Sequence, residues 1–168
     1  IKNEEKLVNG NNVSGINNLT GQSLFKFRYQ LNYRVNEQVA LKSRIETSSY
    51  QKSGLTEDGY MIYQDIFYDF KKIPLSFNMR YAMFNTDSYN TRIYAYESDI
   101  LYAFSIPAYY SKGSRFYVNL KYTLRDFIDI WLKYSQSYYS DLEVISSGLN
   151  QINGNTKSEI KAQVRIKF

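Results

Sequence analysis

Charge is the chemistry this chain carries most densely, and it recurs at even spacings. Lys26, Arg28 and Arg34 are even intervals apart, as are Lys42 and Arg44, and Lys161, Arg165 and Lys167. Residues two apart on an extended chain point to the same side. Arg80, Lys121 and Lys133 continue the series on other segments. A wall built from these cations would attract anions or polyanions, and around a pore it would set ion selectivity. Glu46, Asp65, Asp69, Asp129 and Glu159 fall on the same side of their segments. They open a second reading, in which cations and acids pair across strands and fill an interior.

Catalysis finds little to work with. The chain has no His and no Cys. Ser–His catalysis, His-metal hydrolysis and thiolate sites are therefore excluded for this chain. Asp65 and Asp69 are four residues apart on one side, roughly 13 Å at the rise of a strand. That is too far for a retaining carboxylate pair and long for an inverting one. No enzyme activity, no metal site and no cofactor is expected. Asp87, Glu97 and Asp99 are hard oxygen ligands, but they lack calcium-loop spacing and read as solvated loop charge. The glycines at 148 and 154 bracket a Gly/Asn loop with no following helix and no Lys-Ser/Thr pair, so it is no phosphate cradle. Tyr94, Tyr96, Tyr102, Tyr109 and Tyr110 could stack on sugars or touch a partner, or simply pack their loop.

The elements that must position these groups are strands. Eighteen Tyr and ten Phe against two Pro and one Trp favour an all-β fold. Alternation is plain over 24–35, where Phe25, Phe27, Tyr29, Leu31, Tyr33 and Val35 oppose the cations. It recurs over 38–50, 59–70, 75–84, 114–124, 127–139 and 157–168, and no charged residue falls on the apolar faces. A soluble barrel would bury that face, whereas a membrane barrel turns it to lipid and the charged face to the lumen.

Three features favour the membrane arrangement. The segments exceed the usual ~5–6 residues of soluble strands and match the ~9–11 of a tilted span plus its ends. Short turns at 36–37, 71–74 and 125–126 alternate with longer polar loops at 9–21, 51–58 and 140–156. Aromatic residues gather at two levels, Tyr50, Tyr60, Phe116, Tyr138 and Tyr139 at one and Tyr33, Phe70, Tyr122, Phe127 and Phe168 at the other. The fold expected is an antiparallel transmembrane outer-membrane β-barrel. About eight spanning strands are seen over 1–168, as the C-terminal part of a larger barrel. There is no run of 18 apolar residues, and no signal peptide opens the chain. It starts on I-K-N-E-E-K, within or just after a strand, which suggests a mature chain or a C-terminal fragment.

The short turns and the chain end should share one side, the periplasm. An even number of spans is then needed between Pro74 and Arg125, and 75–84 and 114–124 supply two. Residues 85–113 are accordingly read as one long extracellular excursion, although 92–106 is long enough to span, and two short spans split near Ser98–Asp99 are the alternative. The excursion either stands above the membrane or folds back, and a fold-back would bring Arg92, Glu97 and Asp99 near the charged wall.

The last twelve residues, K-S-E-I-K-A-Q-V-R-I-K-F, resemble the terminal strand of bacterial outer-membrane barrels. The resemblance makes Phe168, Ile166, Val164 and Ile160 an assembly signal for the barrel-assembly machinery. The stretches RIYAYESDILYAFSIPAYYSKGSRFYVNLKY and GLNQINGNTKSEIKAQVRIKF carry a further resemblance. Over about Phe77 to Phe168 the chain resembles the C-terminal barrel part of outer-membrane proteins that carry an N-terminal helix-hairpin-helix region. That region is not in this sequence, so the resemblance implies no nucleic-acid binding by any residue here. It implies the Gram-negative outer membrane, a periplasmic C-terminus, lipid contact and other outer-membrane proteins as partners. The leading functional expectation is a pore or transport barrel with a cationic lumen, its selectivity set by Lys26, Arg28, Arg34, Lys42, Arg44, Arg80, Lys121, Lys133 and Arg165. The alternative is a structural or receptor barrel with a plugged lumen that binds a partner through its loops. A third class, a soluble ligand-binding barrel, would reverse the faces.

Overall fold

The computed structural model describes residues 2–8 and 18–168. The strands in chain order are β1 (Lys2–Val8), β2 (Asn18–Arg34), β3 (Val39–Lys52), β4 (Leu55–Asp69), β5 (Leu75–Thr86), β6 (Ile93–Tyr94), β7 (Ala108–Tyr109), β8 (Lys112–Arg125), β9 (Ile128–Tyr139), β10 (Val144–Ile145), β11 (Ile152–Asn153) and β12 (Thr156–Ile166). Eight of them form one sheet in the order β1-β2-β3-β4-β5-β8-β9-β12. Each neighbouring pair is antiparallel. The chain is therefore all-β, an antiparallel meander of long strands with the shorter β1 at one edge. The sheet is not closed: among the described residues β1 and β12 are its two edges.

The alternation seen in the sequence becomes two faces with reversed burial. Phe25, Phe27, Tyr29 and Leu31 are 48–59% exposed, and Ile160 and Val164 are 71% and 60% exposed. On the opposite face Glu46, Asp65, Arg80 and Lys133 are at most 2% exposed. A water-soluble sheet buries apolar groups and wets charged ones. Here the charged face is the covered one across the middle of the sheet, while Lys26, Arg28 and Arg34 on β2 stay exposed.

Residues 87–111, between β5 and β8, supply the cover. They add no strand to the main sheet. A 3-10 turn at Tyr89–Thr91 leads into a small hairpin of β6 and β7, and an isolated bridge between Glu97 and Ser105 extends it. The hairpin folds onto the polar face. Ile93, Ala95 and Tyr109 pack against Met61, Tyr63, Ala82 and Phe84, with Tyr139 and Ile145 beside them. Burying one such large apolar side chain contributes roughly 1.5–3 kcal/mol, so these few contacts anchor the hairpin's root.

Several expectations need correction. The polar loop expected at 51–58 is mostly strand: Gln51, Lys52 and Leu55–Asp58 are in register pairing, and only Ser53 and Gly54 turn. Both have positive φ, 51° and 80°, the backbone of a two-residue hairpin whose twist matches its strands. That connection is therefore short, not long. The loop expected at 9–21 lies partly outside the described residues, since 9–17 are not described, and from Asn18 the chain is already β2. Tyr139, expected in an aromatic girdle, is 6% exposed and turned to the polar face, edge-on to Phe84 and tilted against Tyr110.

Candidate functional site

The candidate site is the polar face together with the hairpin that lies on it. Register alone brings some of the wall charges together. Arg80 stands opposite Asp65 in the β4–β5 ladder and grips it with two bonds of 2.5 and 2.7 Å. Its guanidinium also lies 3.7 Å from the centre of the Tyr63 ring. Arg28 stands opposite Glu46 and donates to it at 2.6 Å, and Arg44 pairs with the same carboxylate. Arg165 stands opposite Asp129, pairs with it, and lies 5.3 Å from the Trp131 ring. These are bidentate or shared arginine pairs, which hold planar carboxylates in fixed orientation.

The hairpin supplies the remaining partners. Its backbone carbonyls accept from the wall: Arg92 C=O from Lys26 Nζ at 3.1 Å, Tyr94 C=O from Arg44 at 3.2 Å, and Tyr96 C=O from Arg80 at 2.8 Å. Its two acids complete the set. Glu97 takes two bonds from Arg115, at 2.7 and 2.8 Å, and one from the Tyr109 hydroxyl at 2.8 Å. Asp99 lies 3.2 Å from Lys133 Nζ and 2.9 Å from Lys161 Nζ. Asn119 donates to the Asp99 carbonyl at 3.0 Å. One segment thus engages side chains on β2, β3, β5, β8, β9 and β12.

Electrostatics of the hairpin follow from these contacts. Burial alone would raise the Glu97 carboxyl, but the Arg115 guanidinium, with Tyr109 and Lys133, outweighs it and holds Glu97 below the ordinary carboxylate range. Burial opposes ionisation at Asp99 too, and is overridden by Lys161, the Ile100 amide and Lys133. Burial pushes the Tyr109 phenol up. Both acids are therefore ionised wherever the fold is intact near neutrality.

The expected selectivity residues divide into two sets. Arg44, Arg80 and Lys133 are buried and neutralised, and Lys26, Arg28 and Arg165 are engaged. Lys42 is half-buried opposite Asp65, while Arg34 and Lys121 are exposed, the latter 5.8 Å from the Trp131 ring. Ile160, Val164 and Ile166 lie on the apolar face of the edge strand β12, with Phe168 beyond its end and fully exposed. Of the proposed contact tyrosines, Tyr94, Tyr96 and Tyr102 are exposed. Tyr109 is 1% exposed and bonded to Glu97, so it is no surface contact, and Tyr110 is partly buried between Tyr89 and Tyr139. Asp87 does not join Glu97 and Asp99; it accepts from the Asp58 amide at 2.8 Å. Asp69 is exposed and makes no carboxylate pair with Asp65.

Arg115 is the residue that sequence reasoning missed. It begins the β8 alternation two positions before Tyr117, on the same face, and its spacing alone was a usable signal. The chain matches no protein-family model, no curated protein and no solved structure.

Proposed function

We propose that this chain forms part of a transmembrane β-barrel of the Gram-negative outer membrane, its lumen filled by its own 87–111 hairpin. Its work is then structural or recognitive at the loop end, rather than open conduction. The observation that carries the reading is the reversed burial: a continuous aromatic and aliphatic face outward, a charged face covered. Lipid is the environment in which that surface is stable. The long strands, the aromatic levels and the resemblance of the C-terminal stretch to outer-membrane barrels support the same reading.

Within it, the apolar face of β12 with Phe168 is the signal read by the assembly machinery. The end with the turns at 36–37, 71–74 and 125–126 lies in the periplasm and the 87–111 root faces out. An open sheet edge is not tolerated in hydrocarbon, so further strand pairing along β12 completes the barrel. An open cationic pore is the weaker reading, because Arg44, Arg80, Arg115 and Lys133 already have their counter-charges.

The test is gel mobility of the full-length protein extracted from outer membranes in detergent. A faster-migrating folded form that is lost on boiling, and fails to accumulate when Phe168 is removed, is expected. Solubility without detergent, with Phe168 dispensable, would overturn the membrane reading.

A further inference from the structure

A second feature of the polar face is not used by the plug. Between the returning limb of the hairpin and strands β8, β9 and β12 lies a cavity of about 400 Å³. That is within the ~300–1,000 Å³ of small-ligand sites. The 140–155 loop closes part of it through Ile145 and Ser146. Its aromatic wall includes Phe104, which is 76% exposed, and Tyr110. Ser105, Ser137 and Ser146 line it beside these rings, as do the exposed Lys157 and Glu159, the latter 3.5 Å from Lys161 Nζ.

We infer that this cavity is a binding site for an uncharged saccharide. Three properties of the wall select that chemistry. Ring faces next to hydroxyls match a sugar, whose C–H faces stack on aromatics while its edge hydroxyls both donate and accept. A purely apolar ligand would strand the hydroxyls of Ser105 and Ser146 without partners. An anionic one finds the Arg115 charge already matched by Glu97, whose carboxylate it holds with two bonds. Ser146 holds a left-handed backbone, φ 65°, in the segment that shapes the cavity. Such strain is kept where the surroundings over-determine it.

Phe104 provides the clean test, because it is exposed and its removal leaves the ion-paired plug intact. The full-length protein in detergent is applied to an array of neutral and acidic oligosaccharides, with Phe104→Ala, Lys157→Ala and Tyr102→Ala alongside. Tyr102 is exposed on the same hairpin but outside the cavity lining. Retention of neutral glycans is expected, weakened roughly tenfold by Phe104→Ala and unchanged by Tyr102→Ala. The retained glycan is then titrated free and as a lipid headgroup in vesicles, which separates a soluble sugar from a membrane glycolipid as its source. No retention of any glycan, preference for the acidic ones, or equal retention by Phe104→Ala overturns the site. Heat-modifiable mobility is read on each preparation, so failure of glycan binding is distinguishable from failure of the barrel reading.

Discussion

At the scale of single residues, Glu97 is where the plug is most exposed to change. Its carboxylate is fully enclosed and shared by Arg115, Tyr109 and Lys133. Removing one partner of a buried pair costs roughly 3–5 kcal/mol, because the other charge is left unpaired. Glu97→Gln should therefore loosen the hairpin, and limited trypsin digestion should cut after Arg92 faster than in the parent protein. Glu97→Asp should restore part of the protection. Acid should act in the same way. Both Glu97 and Asp99 have folded-state pKa values below their ordinary ones, so their stabilisation is complete above the unfolded values, about 4. It is lost as pH falls through the depressed folded values. Trypsin loses activity there, so pepsin accessibility is the appropriate readout. The excursion should begin to be cut only below about pH 4, and cleavage that rises already at pH 6 would mean that these acids do not hold it.

At the scale of elements, the β8–β9 ladder depends on a close approach. Gly113 stands opposite Tyr139 in register, and a side chain there would run into the Tyr138 carbonyl. Gly113→Ala should destabilise by roughly 1–3 kcal/mol, the usual cost of overpacking, seen as a lower unfolding midpoint in denaturant. The strands themselves were legible, because period-two alternation of Phe25 to Val35 or Ile128 to Tyr134 leaves only one pairing phase. The Ser53–Gly54 turn was not, since a polar run such as Gln51 to Asp58 gives no sign of which residues pair. Reading 85–113 as one excursion rather than two short spans makes β5 and β8 neighbours, and they are. Where the 87–111 hairpin goes was not legible, since Glu97 and Asp99 read equally as solvated loop charge until register places Arg115, Lys133 and Lys161 beneath them. Arg115 shows the limit from the other side: its phase was readable, but its importance comes from a partner 18 residues away.

At the scale of the whole molecule, the plug and the wall are complementary, so removing one reveals the other. The hairpin brings two carboxylates and four carbonyl acceptors to a wall on which cations outnumber acids. Taking residues 92–106 out, and bridging the gap with a short Gly/Ser linker, would strip the counter-charges from Arg115 and Lys133, leave Lys161 only Glu159 and leave Arg80 only its Asp65 partner. A wall with that surplus concentrates anions. In planar bilayers the intact protein should therefore show no sustained conductance. The deletion variant should open steps whose reversal potential in a KCl gradient moves toward chloride. Cation-selective steps would contradict the surplus charge on the wall. Silence from a variant that still shows heat-modifiable mobility would mean that something other than this hairpin fills the interior. Lys133→Ala and Arg115→Ala in the deletion background complete the test. If the wall cations set selectivity, each should move the reversal potential back toward zero, whereas a defect in the lipid seal would leave it unchanged.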